Sequence, residues 1–548
     1  LLHKRFIGRF TFDANFTVMR NMLVLLGTLI VSLSNGQSSP FDYRVELNAM
    51  EIPGLTGLHS YASAEYEGKW LFVGGRRDGL HARQPFNAFP ESQNNDMLRV
   101  VDPASGQFWE AVLMQLPIAV QEQLQATNHC FTQQGDSLFI VGGYAYSASA
   151  ADHITFPRLT VLHVPQVIAA VIAGSVDASS FQTLADERLA VTGGRLVHDG
   201  TRFMLVGGHR FDGNYNPMGM PTYTQSYTNS IRRFEIQQSA GGLSLSDYSE
   251  TVDEVHLHRR DYNLVPWLYA DGHESHIISS GVFQPTVDLP FLYPVEIDQN
   301  GYTPHPSFNQ YLSNYHCPTV SVFYGDQTHA LFFGGMSRYY YSNGALVEDN
   351  LVPFTRTISR ITRTADGVFE EGVFATEMPG LKGSGAEFLV NPSLPSSESG
   401  VVLINEILAD TIELGFIYGG ISSSQLNPFS SNQTGNTSAD ATWYKVKLIR
   451  DALSTQDIHA GQHGKAFQIF PNPVEHEMKL RSDAQFERAT YHILDAQGRL
   501  IQHGELTATT KSQGGFSIAV DPAWSGQTFN VVVVFDDKYT AVQTVNVR

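Results

Sequence analysis

Leu71-Phe72-Val73-Gly74-Gly75 is a short apolar run closed by a glycine pair, and the chain keeps returning to it. It recurs as Phe139-Ile140-Val141-Gly142-Gly143, Met204-Leu205-Val206-Gly207-Gly208, Leu331-Phe332-Phe333-Gly334-Gly335 and Phe416-Ile417-Tyr418-Gly419-Gly420. A weaker copy, His276-Ile277-Ile278-Ser279-Ser280-Gly281, has lost its first glycine. From Gly74 to Gly419 five intervals average about 69 residues, and self-similarity at a long period marks a propeller or solenoid. An apolar run of this length reads as a buried strand, and the glycines admit a positive φ or a close backbone neighbour. The repeat count is six. The reading is an all-β fold of six four-stranded blades, each with its first strand on a central channel and its fourth on the rim.

Composition agrees. Charged residues make up 16% of the 548, aromatics 11%, and 47 glycines punctuate the chain, a profile of strands and turns. A net charge of −19 argues against a nucleic-acid partner, because phosphate affinity rests on clustered Lys and Arg. Two cysteines supply no disulfide framework.

Met22 to Leu33 is an apolar run of signal-peptide length behind Arg20, with Ser34-Asn35-Gly36 offering small residues for cleavage before Gln37. Residues 1–36 are therefore read as upstream sequence and signal peptide, with Met19 as the start. No other run approaches a membrane span, so the mature protein is expected to be secreted or at the cell surface, with no membrane span after cleavage.

In the first repeat the glycine pair is followed by Asp96 to Pro103 and then by Gly106-Gln107-Phe108-Trp109-Glu110. This order resembles the Kelch repeat, and the resemblance covers residues 41–450. It implies a six-bladed Kelch-type β-propeller over residues 37–450. The later repeats depart from the family pattern by lacking the outer Trp and by carrying long insertions. The alternating segment Tyr43-Arg44-Val45-Glu46-Leu47 is left over, and it is expected to close the ring as the fourth strand of blade six.

Residues 451–465 form a polar linker, and residues 466–548 read as a small β-sandwich. Pro471-Asn472-Pro473 at its first strand and the turn Asp495-Ala496-Gln497-Gly498 resemble the carboxy-terminal sorting domain of type IX secretion, a route of Bacteroidota. That resemblance implies a partner, the type IX secretion machinery, and an export address removed on arrival. Gly526-Gln527-Thr528-Phe529 and the terminal Arg548 depart from the family pattern, and a carbohydrate-binding or adhesion sandwich is the alternative.

Function in a propeller belongs to the channel mouth and the loops of one face. Aligning the innermost strands places His59, His129, Arg195, Tyr262 with Asn263, His316 and Glu387 around the central opening. His59, His129 and His316 converging would suit Zn, Cu or Ni; the alternatives are histidines bonded to backbone, or a polar small-ligand pocket. Cys130 and Cys317 would face across the channel as free, buried thiols, too far apart to bridge. A second group lies in the loops after the glycine pairs: Tyr144, Tyr146, Tyr215, Tyr339 and Tyr340, beside Asn, Arg and Asp, as suits sugar stacking or protein capture; the alternative is tyrosines that pack the loops onto one another. In the polar segment from His256 to Asn263 an Arg–Asp pair could orient an anionic ligand, the alternative being a pair that simply satisfies itself. No Gly-x-Ser-x-Gly, His-Glu-x-x-His or phosphate loop occurs, and the copper ligand set of galactose oxidase finds no residue-by-residue match. The expectation is a binding protein without a cofactor, its partner a protein or glycan. The alternative is an extracellular carbohydrate-active enzyme, mutarotase- or oxidase-like, using Arg195, His129, His316 and Glu387.

Overall fold

The computed structural model describes residues 41–548 apart from 218–221, 240, 343, 365–366, 451–466, 483–488, 496–498, 507–510, 513–514 and 536–538. The signal-peptide, linker and Ala496-Gln497-Gly498 readings lie outside the described residues. The chain divides into two compact units between Leu448 and Ile449.

Among the described residues the frame of the larger unit is six sheets of four main strands each, in chain order in five of them, with three two-stranded hairpins beside them. Their first strands are Ala62–Tyr66, Cys130–Gln134, Arg195–His198, Asn263–Leu268, Thr319–Tyr324 and Leu381–Val390. The glycine-pair runs form the second strands: Lys69–Val73, Ser137–Val141, Phe203–Val206, Glu274–Ser279, Gln327–Phe333 and Thr411–Ser423. Tyr43–Met50 is the fourth strand of the last sheet, beside Trp443–Arg450, so the two ends of the unit meet in one sheet. The arrangement is consistent with a Kelch-type propeller.

Two sets of backbone hydrogen bonds show why the repeat has its form. One residue of each sheet, at the approach to its first strand or, for Gly385, within it, donates its N–H to the equivalent carbonyl of the previous sheet: Asn128 to Ser60, Gly193 to Asn128, Asp261 to Gly193, His316 to Asp261 and Gly385 to His316. Ser60 donates to Gly385 at 2.7 Å, and the circle closes. In the second set the last glycine of each pair donates to the segment entering the next sheet: Gly75 to Ala126, Gly143 to Val191, Gly208 to Arg259, Gly281 to Asn314, Gly335 to Lys382 and Gly420 to Leu58. Glycine suits both positions: at Gly74 (φ +66°) a Cβ would sit 2.5 Å from the Ala126 carbonyl oxygen of the next sheet, and at Gly75 (φ +83°) one would sit 2.6 Å from the His59 carbonyl oxygen of its own sheet. Where sheet four lacks the first glycine, Ser280 takes the same left-handed backbone (φ 51°), and its hydroxyl donates to the Phe291 carbonyl at 2.5 Å.

Six apolar cores lie between successive sheets. Leu71, Leu98, Leu138 and Ile140 join sheets one and two, and Leu159, Leu205 and Phe234 join two and three. Val206, Ile231 and Ile278 fill the next gap, and Val265, Ile277 and Phe332 the one after. Phe333, Ile358 and Ile417 join five to six, and Tyr418 and Trp443 pack against Tyr61 and Phe72 to join six back to one. A helix not anticipated from the sequence, Val164–Ile172, buries Val164, Val167, Ile168 and Val171 in the first of these cores. Both cysteines are free and buried, and burial pushes each thiol up to about 12. They do not face the channel as the alignment proposed. Cys130 belongs to the core of sheets two and three, and Cys317 to that of four and five.

The smaller unit holds two four-stranded sheets. Ile469, Met478 and Leu480 of one share a core with Ile493, Val531 and Val533 of the other. Asn472, between its two prolines, donates to the Thr544 carbonyl and accepts from the Asn546 N–H, both at 3.0 Å, tying this loop to the last strand. Among the described residues no helix is long and apolar enough to cross a membrane.

Candidate functional site

Inside the circle of hydrogen bonds a cavity of about 20 Å³ is lined by Ser60, Asn128, Arg195, Asp261, His316 and Glu387, among others. That is room for about one water molecule. Arg195 begins the first strand of sheet three and Glu387 lies on that of sheet six, so the pair spans the ring between opposite sheets. Arg195 Nη1 lies 3.2 Å from Glu387 Oε1, and His316 Nε2 lies 2.9 Å from the same oxygen. All three side chains are less than one-fifth exposed. Burial works against a charge on Glu387, but His316 and Arg195 outweigh it and hold the carboxyl at about 2. Burial, aided by Arg195, lowers His316 despite Glu387, so the imidazole stays neutral near pH 7. The ring centre is an internally compensated plug.

The other aligned residues divide differently. His129 Nε2 donates to the Gln123 carbonyl at 2.8 Å, and burial drops its pKa to about 4. Tyr262 is buried with its hydroxyl donating to the Val206 carbonyl at 2.6 Å. Asn263 holds the approach to sheet five, accepting from the Cys317 N–H and donating to the Tyr315 carbonyl. His59 is not among the residues that line the cavity; its Nε2 lies 3.7 Å from Asp78, which also takes two hydrogen bonds from Arg76. Burial opposes the Asp78 charge, yet His59 and Arg76 hold its pKa at about 2.

The three histidines therefore do not converge, and among the described residues no group of three or more His, Cys, Asp or Glu is arranged to hold a metal ion. The reason is register. Against the second glycine of each pair stand Tyr61, His129, Gly194, Tyr262, Cys317 and Ala386. His59 thus lies two residues, and His316 one residue, before the position His129 occupies.

The loop aromatics pack largely on one another. Tyr144 is buried, its hydroxyl donating to the Gly213 carbonyl at 2.7 Å and its ring edge-on to Phe89 and Phe211. Tyr146 meets His153 edge-on, and Tyr339 meets Tyr311 the same way at 4.7 Å. Tyr340 is half-buried on the hairpin of Tyr339–Ser342 and Ala345–Glu348, where Tyr341 and Leu346 are each 43% exposed. Tyr215 reaches from sheet three to the loop of sheet one, with its ring 4.7 Å from His81. His81 and Arg83 at this mouth escaped the sequence reading, although both follow the first glycine pair closely.

No protein-family model matches the chain, and no curated protein matches it. Among solved structures the chain is similar to a novel fungal alcohol oxidase of the AA5 family in complex with copper, at 10% identity and a TM-score of 0.38. That likeness covers 92% of this chain and 100% of that one. It is also similar to YjhT, at 11% identity and a TM-score of 0.34, over 57% of this chain and 84% of that one. The fold class rests on the chain's own sheets and hydrogen bonds.

Proposed function

We propose that residues 37–450 form an exported six-bladed Kelch-type β-propeller that captures an extracellular protein or glycan at its loop face, and that residues 466–548 direct type IX secretion. The observation that carries the first part is the plug. The central cavity admits a water but no sugar, and Glu387 is already taken by the Arg195 charge and by His316 at 2.9 Å. Ligand contact then falls to the loops, where Tyr341 and Leu346 stand exposed beside half-buried Tyr339 and Tyr340. Replacing Tyr339, Tyr340 and Tyr341 by Ala is expected to weaken capture of the partner at least tenfold, on the scale of lost aromatic anchors. Glu387→Gln is expected to leave capture unchanged. A glycan array and surface-binding assay on both variants decides. The reverse pattern would favour the carbohydrate-active enzyme, which is supported by a neutral imidazole and an ionised carboxylate at one cavity.

Support for the second part is the Pro471-Asn472-Pro473 opening of a two-sheet unit. Removing residues 466–548 is expected to leave the protein in the periplasm of a host with type IX secretion. Unchanged surface appearance would contradict that assignment.

A further inference from the structure

Five sheets send side chains to the channel mouth above the plug. His81 stacks on Phe89 at 4.7 Å and meets Tyr215 and Phe429 edge-on at 4.7 and 5.4 Å. The Arg83 guanidinium lies 5.5 Å from the Phe429 ring centre and donates to the Ser430 carbonyl at 3.3 Å. Its Nε is buried with no partner, and no carboxylate is within ion-pair distance of it among the described residues. On the opposite side Arg260 donates Nε to the Tyr227 hydroxyl at 3.0 Å, pairs through Nη1 with Asp261 and lies 5.2 Å from the Phe283 ring centre. Its Nη2 makes no hydrogen bond among the described residues. Arg260 acts electrostatically on His81, Tyr215 and Tyr315 alike, which sets its charge amid all three. The Tyr215 and Tyr315 hydroxyls likewise make no hydrogen bond among the described residues.

The charges do not balance here. Arg76, Arg83 and Arg260 face Asp78 and Asp261, so one positive charge, that of Arg83, is uncompensated in a protein whose net charge is −19. Asp288 is exposed and acts on Tyr215 more weakly than either Arg260 or Arg83. The parallel N–H donors of a guanidinium match two oxygens of a carboxylate or of a tetrahedral oxyanion, and aromatic faces receive the ring that carries them.

We propose that the mouth is an oxyanion site in which Arg83 and Arg260, with the Tyr215 and Tyr315 hydroxyls, hold a carboxylate or sulfate while His81 and Phe429 pack against the ligand's ring. This rests on the loop-face reading above and names the ligand chemistry for it.

The test is calorimetric titration of the full mature chain, at constant ionic strength, with D-glucuronate, D-glucose 6-sulfate and D-glucose, which share a ring and differ in charge. At least one anionic sugar is expected to bind about ten- to a hundredfold tighter than glucose, the worth of a charged hydrogen-bond pair. Arg83→Gln is expected to erase that advantage, and Arg83→Lys to restore part of it, with thermal unfolding unchanged in both. Whichever anion binds more tightly identifies the oxyanion. Equal binding of all three sugars, no binding of any, or an advantage that survives Arg83→Gln overturns the proposal. If capture then still depends on Tyr339 to Tyr341, the loop-face reading stands and only the oxyanion site falls.

Discussion

Replacing Trp443 by Ala is expected to cost about 3–5 kcal/mol of stability, the range for deleting a fully buried large aromatic. Trp443 is completely buried, stacked on Tyr418 at 4.7 Å and edge-on to Phe416 and Phe72 at 5.7 and 6.0 Å. Its position adds to the effect. This core joins the last sheet to the first, and Arg99 reinforces the seam by donating to the Thr56 carbonyl and the Tyr418 hydroxyl at 2.6 and 2.9 Å. Opening it would expose two sheet faces at once. The indole Nε1 has no partner among the described residues, so Trp443→Phe gives up no hydrogen bond and is expected to cost much less than the alanine. Denaturant unfolding of both variants measures the difference. A loss below about 1 kcal/mol for the alanine would mean that the seam does not hold the ring closed.

The second large effect is expected at Glu387. Substitution by Gln leaves Arg195 charged and buried across the ring without its counterion, a loss of about 3 kcal/mol. Linkage gives a similar figure. An unfolded glutamate titrates near 4.5 and the folded one at about 2, a gap worth roughly 3 kcal/mol. The sign follows from the depressed value. The unfolded chain takes up the proton first, so the stabilisation is complete above pH 4.5 and is lost as pH falls toward 2. Buried His316 adds to the loss at higher pH: its lowered pKa lets the unfolded chain protonate first as pH drops below about 6.5. Subtracting the Glu387→Gln stability profile from the native one isolates the lower step. Parallel profiles between pH 5 and 2 would rule out an ionised, compensated Glu387.

The architecture was legible because its signals are local and repeated. Glycine pairs close the apolar runs of five second strands and Ser280-Gly281 that of the sixth, where the backbone turns left-handed and hydrogen-bonds to the next sheet. Tyr43-Arg44-Val45-Glu46-Leu47 announced its place by alternation, and the closing strand contains it. The site was less legible. Which residue reaches the ring depends on how many residues lie between a strand and the turn before it, and no side-chain pattern fixes that number, because the ring bonds are made by backbone. His59 and His129 look equivalent in sequence yet sit two positions apart in the fold. Arg195, His316 and Glu387 were in the aligned set, but their meeting on one carboxylate oxygen depends on long-range closure. The helix Val164–Ile172 did carry a signal, in Pro165 near its start and apolar residues at 164, 167, 168 and 171, but it follows directly on the strand Pro157–His163, whose Leu159, Val161 and Leu162 run into it without a turn residue between.

The most direct test of a sealed centre with a binding loop face is a high-resolution crystal structure of residues 37–450, with metal content assayed on the same sample. The account predicts the six backbone hydrogen bonds from Ser60 round to Gly385 intact, Arg195 and His316 on Glu387, and at most one water between them. A metal ion on His316 and Glu387, or a sugar ring within the circle, would contradict it and make the ring centre the working site.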